Sequence, residues 1–256
     1  MKLDEQVVLV TGASGGIGSA ICRALANEGA SLALHYYRRE VNALRLAAEL
    51  TAKARLPTQR FVPFAADLGR GEEACDMVKR VAQAFDRLDI VVNNAGWTRV
   101  VPADDLDGLD EELITRTVQM KIQAPLYVVR AARPYLELSG TGQVINITSV
   151  AGIAARGSSI VYAAANAALS SLTRSLARTL APKIRVNAVA PGFVETGFAW
   201  PADGKVKAHV AQRNYIARTV EPEEVAELVR FLACDAPAMT GEEIAIDGGI
   251  GRLGVR

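Results

Sequence analysis

The chain has 256 residues, half of them hydrophobic and 22% charged, with a formal net charge of +1. That length and apolar content suffice for one large buried core. The balanced charge points away from nucleic-acid and membrane-surface partners, and no apolar run is long enough to span a bilayer.

The chain enters its first expected strand, Val7–Val10, directly from Met1-Lys2-Leu3-Asp4-Glu5, without an apolar leader, so a cytoplasmic location is expected. A glycine-rich stretch follows, then a helix from about Ile17 to Glu28. Leu32–Tyr36 reads as a second strand and Glu40–Lys53 as a second helix. Strands are expected at Phe61–Ala65, Ile90–Asn93, Val144–Thr148 and Ile184–Ala190, and helices at Glu72–Phe85, Leu109–Leu136 and Ser159–Leu180. Pro222–Leu232 makes a last helix and Ile244–Ile246 a last strand. Strands that are apolar throughout and alternate with helices belong to a parallel sheet covered on both faces. The expected fold is therefore α/β: one doubly wound, Rossmann-type domain over residues 1–256, with about seven parallel strands. The three cysteines, Cys22, Cys75 and Cys234, are odd in number and lack a CxxC spacing. They read as buried structural thiols of a reducing compartment. His35 and His209 have no Cys or Asp at ligand spacing, so no metal is expected.

Between the first strand and first helix stands Thr11-Gly12-Ala13-Ser14-Gly15-Gly16-Ile17-Gly18. Glycines there allow a tight turn and let a pyrophosphate approach the helix N-terminus. The Gly-x-x-x-Gly-x-Gly spacing resembles that of the short-chain dehydrogenase/reductase family, and further motifs follow in family order. Asp67-Leu68 resembles the adenine-contacting pair, and Asn93-Asn94-Ala95-Gly96 the stretch that lines the cofactor cleft. Ser149 precedes Tyr162 by 13 residues, as the family's catalytic serine and tyrosine do. Pro191-Gly192, with Val194 and Thr196, resembles the segment flanking the nicotinamide amide. Thr240-Gly241 and Ile246-Asp247-Gly248-Gly249 resemble the C-terminal strand region. The resemblance runs from about residue 6 to residue 249. It implies cofactor contacts from Gly12, Ser14, Gly16, Ile17, Gly18, Asp67, Leu68, Asn94, Ala95, Gly96, Tyr162, Pro191, Gly192, Val194 and Thr196. It also implies a small carbonyl or alcohol substrate and a homotetramer.

One position departs from the family. A lysine is expected four residues after the tyrosine, where its cation lowers the phenol pKa and its amine bonds the nicotinamide ribose. Asn166 stands there instead. The i,i+4 spacing keeps it on the tyrosine's face of the helix; it can bond ribose hydroxyls but carries no charge. The segment Val118-Gln119-Met120-Lys121-Ile122 matches the stretch where the family carries an asparagine, and by that match the asparagine position is Lys121. Only seven lysines occur in the chain, at 2, 53, 79, 121, 183, 205 and 207. We read the pair as exchanged, with Lys121 supplying the cation and Asn166 the amide. The expected catalytic set is Ser149, Tyr162, Lys121 and Asn166.

Cofactor choice is read at His35-Tyr36-Tyr37-Arg38-Arg39-Glu40. A site for NAD places an acidic residue here for the ribose 2′-hydroxyl, and none precedes Glu40. Arg38 fits a 2′-phosphate and Tyr37 can flank the adenosine, so NADP is favoured over NAD, although Gly15 lacks the basic side chain common in NADP-preferring relatives. Residues 197–218 match the family's variable lid, and Trp97 and Trp200 are candidates for the walls of an apolar pocket. Three classes of activity fit: carbonyl reduction or alcohol oxidation, silent dinucleotide binding, and dehydration or epimerisation on the same scaffold. Retention of Ser149 and Tyr162 with the full cleft favours the first.

Overall fold

The structure, a computed structural model, describes residues 2–200 and 204–254. Its elements in chain order are β1 (Val7–Val10), α1 (Gly16–Asn27), β2 (Ser31–Tyr36), α2 (Glu40–Ala52), β3 (Phe61–Ala65), α3 (Gly71–Phe85) and β4 (Ile90–Asn93). Next come α4 (Glu111–Val118), a π-helical turn (Gln119–Gln123), α5 (Ala124–Ser139), β5 (Gln143–Ile147), α6 (Ala151–Ala154) and α7 (Ile160–Leu180). The chain continues through β6 (Arg185–Pro191), α8 (Lys205–Arg213), α9 (Pro222–Cys234), β7 (Glu243–Ile246) and α10 (Ile250–Leu253).

The seven strands form one parallel sheet in the order β3-β2-β1-β4-β5-β6-β7. Successive side chains of a strand point to opposite faces, and β1 shows what this demands. Val8 and Val10 join a core with Ile21 and Leu25 of α1 and Val225, Val229 and Leu232 of α9. Val7 and Leu9 join a second core with Met77 and Val81 of α3 and Val128 and Leu136 of α5. Burial on both faces is why β1 is apolar at every position. The winding reverses between β1 and β4, each of which also pairs with a strand of its own half. A crevice therefore opens at the carboxyl ends of these strands, where open α/β sheets take their ligands.

The helix expected over Leu109–Leu136 differs most from expectation. It starts at Glu111, where Asp110 caps it by accepting from the Leu113 N–H at 2.8 Å, and it ends at Ser139. Its middle is a π-helical turn, with the Ala124 N–H donating to the Gln119 carbonyl. Pro125, without an N–H, cannot donate to the Lys121 carbonyl and so leaves one α-helical bond unmade. Such bulges insert a residue and turn side chains off the helix face; Lys121 sits on this one and is buried. Three short helices were not expected: α6, α8 and α10. Of the cysteines, Cys22 is buried, as expected, but Cys75 and Cys234 are only half-buried. Both lie where their helices meet the surface, which an apolar pattern alone does not reveal. Among the described residues no three metal-ligating side chains cluster, and no helix is long and apolar enough to cross a membrane.

Candidate active site

A cavity of 960 Å³ lies over the carboxyl ends of the strands, at the upper end of the range for ligand sites. Its glycine-rich wall is held by named contacts. Gly12 has a φ of +66°, a left-handed conformation that favours glycine. A Cβ on Gly18 would meet the Gly12 carbonyl at 2.2 Å, and one on Gly16 would meet Thr196 Cγ2 at 2.5 Å. The chain is thus packed on itself where α1 begins. No side chain caps α1, so the first backbone N–H groups remain available to an anion. Thr11 Oγ1 accepts from the Asn94 and Ala95 N–H groups, and the Asn94 amide donates to the Thr11 and Gly12 carbonyls at 2.9 and 3.2 Å. Asn94 thereby ties the loop after β1 to that after β4.

The cradle fits a dinucleotide: close backbone at the pyrophosphate position, uncapped N–H groups, and a basic rim. Arg38 lines the cavity with its guanidinium 4.8 Å from the Tyr37 ring centroid. Glu40 instead accepts from the Tyr36 hydroxyl at 3.1 Å and lies outside the cavity. Gly12, Ser14, Gly16, Ile17, Gly18, Tyr37, Arg38, Asp67, Leu68, Asn94, Ala95, Gly96, Pro191, Gly192, Val194 and Thr196 all line this one cavity.

Ser149, Tyr162 and Lys121 line it as well. Tyr162 stands at the third position of α7, whose start is set by Ser159, the side chain of which accepts from the Tyr162 N–H. Burial pushes its phenol above the usual range, and hydrogen bonding to Ser149 and Asn166 acts in the opposite direction. Lys121 Nζ donates to the Ile147 carbonyl at 3.1 Å and lies 5.6 Å from the Tyr162 ring centroid. Among the described residues its ammonium has no carboxylate beside it, and burial pulls its pKa down to about 8. Gly96 makes room for it: a Cβ there would sit 3.3 Å from Lys121 Cε.

Asn166 is the expected site residue that does not line the cavity. It is fully buried, and its amide donates to the Tyr162 carbonyl at 2.8 Å while its Oδ1 has no partner. The cause is α6, which lies so close over α7 that a Cβ on Gly152 would meet the Ala167 nitrogen at 2.6 Å. Sequence reasoning also passed over Phe193 and Arg116, which the cavity recruits. Phe198 lies 6.3 Å from the Tyr162 ring, Phe193 lies 5.8 Å from Trp200, and the Arg116 guanidinium lies 4.6 Å from Trp97, measured to ring centroids. Trp97 and Trp200 both line the cavity. Aromatic density around residues 193–200 was the available signal. Of the lid, Pro201–Asp203 lie outside the described residues, and α8 buries no residue.

A family model described as enoyl-(acyl carrier protein) reductase matches residues 12–251. A protein of Streptomyces violaceoruber named as a ketoacyl reductase of the granaticin polyketide synthase is 39% identical, covering 96% of each chain. The 3-oxoacyl-(acyl-carrier-protein) reductase FabG of Thermotoga maritima is 34% identical over 98% of this chain and 99% of its own. The crystal structure of a short chain dehydrogenase from Burkholderia cenocepacia in complex with NADP superposes with a TM-score of 0.87 at 33% identity, covering 97% and 98% of the two chains. The chain belongs to the short-chain dehydrogenase/reductase family of oxidoreductases.

Proposed function

We propose that this protein is an NADP-dependent reductase of ketones or β-keto thioesters, with Lys121 in place of the lysine missing at 166. The reading rests on one observation: a buried lysine without a carboxylate partner lines the same cavity as Ser149 and Tyr162, close to the tyrosine ring. The relatives named for ketoacyl and 3-oxoacyl reduction support the substrate class, and the NADP-bound relative supports the cofactor. Arg38 on the rim, with Glu40 turned to Tyr36, supports NADP over NAD.

NADP(H) supplies the hydride when bound, held by the glycine-rich loop, Asp67-Leu68, Asn94-Ala95-Gly96 and the Pro191–Thr196 segment. The Ser149 hydroxyl orients the carbonyl oxygen of the substrate. Tyr162 donates its proton to that oxygen as it becomes an alkoxide. A phenol buried and unassisted is too weak an acid near neutral pH. Lys121 corrects this, because an ammonium close to the ring stabilises the phenolate left behind. Asn166 donates to the Tyr162 main-chain carbonyl and braces the turn of α7 that carries the tyrosine. Residues 197–218 close over the substrate, with Phe198 and Trp200 as walls. The chain is read as one domain that assembles as a cytoplasmic homotetramer through α4, α5 and α7, where Ile114 and Leu126 are exposed.

The test is NADPH oxidation with a panel of ketones and an acetoacetyl thioester, beside an enoyl thioester. Wild type should turn over the keto substrates, and both Tyr162→Phe and Lys121→Ala should lose turnover while still binding NADPH. Tight NADPH binding with no hydride transfer to any carbonyl would favour a silent binder.

A further inference from the structure

Two loops on the cofactor side of the cavity meet at one buried side chain that the mechanism does not use. His35 projects from β2, the strand between β1 and β3, and is 3% exposed. The Gly12 N–H donates to His35 Nδ1 at 2.9 Å, and His35 Nε2 lies 3.1 Å from the Ala66 carbonyl. A backbone N–H can only donate and a carbonyl can only accept. Both bonds are therefore satisfied by a single form of the ring, the neutral imidazole with its proton on Nε2.

We propose that His35 is a positioning residue for the cofactor, its neutral ring clamping the glycine-rich loop to the loop that carries Asp67 and Leu68. The proposal rests on the reading that this cavity holds NADP. Gly12 is where the clamp has leverage. Its carbonyl fills the space that a Cβ on Gly18 would need, so a shift at Gly12 is felt at the first turn of α1. The His35 carbonyl adds a second tie by accepting from the Ala13 N–H at 2.9 Å. Ala66 immediately precedes Asp67, whose carboxylate accepts from the Gly69 N–H at 3.0 Å and fixes that turn. A protonated ring would face the Gly12 N–H with a second N–H, and the clamp would open. Burial holds the ring neutral, pulling its pKa down to about 4 against the hydrogen bond to Ala66 and the charge of Asp67. The glycine-rich loop itself, Thr11–Gly18, brings no titratable group.

The experiment measures NADP⁺ binding, by quenching of tryptophan fluorescence, to wild type, His35→Leu and His35→Asn between pH 7.5 and 3.5. At pH 7.5 the leucine variant leaves the Gly12 N–H unpaired, and Kd should rise roughly tenfold or more. The asparagine amide offers both an acceptor and a donor and should recover most of the affinity. kcat at saturating NADPH should move less than KM for NADPH. Towards pH 3.5, where a ring with a pKa of about 4 is mostly protonated, wild type should lose affinity more steeply than His35→Asn, which has no ring to protonate; this comparison also cancels titration of the cofactor's own phosphates. Equal Kd values and equal pH slopes in wild type and the variants would overturn the proposal, even if Tm fell. If His35→Leu fails to fold, the slopes of wild type and His35→Asn decide alone. Failure of wild type itself to bind NADP⁺ would instead sink the functional reading.

Discussion

The two halves of the cavity are built by opposite rules. The cofactor half is stitched by hydrogen bonds between loops: Thr11 and Asn94 join the ends of β1 and β4, and His35 joins Gly12 to Ala66. The substrate half, beyond β6, is built from aromatic contacts, Phe193 with Trp200 and Phe198 with Tyr162, and from a helix, α8, that buries nothing. A rigid half suits an unvarying cofactor, and a loosely packed one can be reshaped without disturbing the sheet. Between them lie Ser149, Tyr162 and Lys121, which must be placed by rigid elements and yet face the variable side.

Substitutions can break or sharpen this contrast. The largest effect is expected at the junction: Tyr162→Phe should cut kcat by about two to four orders of magnitude, the range of a lost general acid, with NADPH affinity changed little. Lys121→Met should follow, lowering kcat about a hundredfold or more by the same reasoning about the proton step while raising Tm. Burial of the ammonium, which pulls its pKa from 10.5 to about 8, costs on the order of 3 kcal/mol at neutral pH. Removing it forfeits the charge-assisted bond to Ile147, worth about 2 kcal/mol, so the expected rise is small. The sign follows from linkage: a lysine whose pKa is depressed on folding destabilises the folded protein below about pH 8, and that penalty is relieved as pH rises from about 8 to 10.5. Wild-type stability should therefore gain a rising component over that window that Lys121→Met lacks. A fall in Tm on Lys121→Met would mean that the lysine is structural.

In the cofactor half, Arg38→Ala should raise KM for NADPH roughly tenfold, the scale of one charge-assisted contact, and leave that for NADH nearly unchanged. In the substrate half, Phe198→Ala and Trp200→Ala should alter the ranking of a ketone panel by a few-fold and leave NADPH affinity intact, as apolar pockets discriminate modestly. A large change in NADPH affinity from either would erase the distinction between the halves.

The same contrast explains what could be read from the sequence. The cofactor half is legible because each device demands a residue type at a fixed place. Glycine is required at 12 by its left-handed backbone, at 18 by contact with the Gly12 carbonyl and at 16 by contact with the Thr196 side chain, and Asn94 by a side chain that donates to two carbonyls. The doubly wound sheet is legible because strands covered on both faces must be apolar throughout. The π-helical turn is not: Pro125 marks a released carbonyl, but only the packing of Lys121 against Gly96 and Ile147 shows which way the bulge turns its lysine. The burial of Asn166 was hidden for a related reason. Its spacing from Tyr162 gives the helix face, whereas its burial depends on the close approach of α6, a helix of four residues with no periodicity to detect. The clamp at His35 could not be read because its partners are backbone atoms of two distant loops.

The central claim is that Lys121 supplies the charge that position 166 lacks, and alcohol oxidation tests it most directly. In that direction Tyr162 would act as the phenolate, so the rate should rise with pH as the phenol loses its proton. The rate against pH, measured with NADP⁺ and a secondary alcohol, should show this limb in wild type. In Lys121→Met the limb should move to higher pH, because the phenolate has lost its cation. A limb at the same pH in both proteins would contradict the claim.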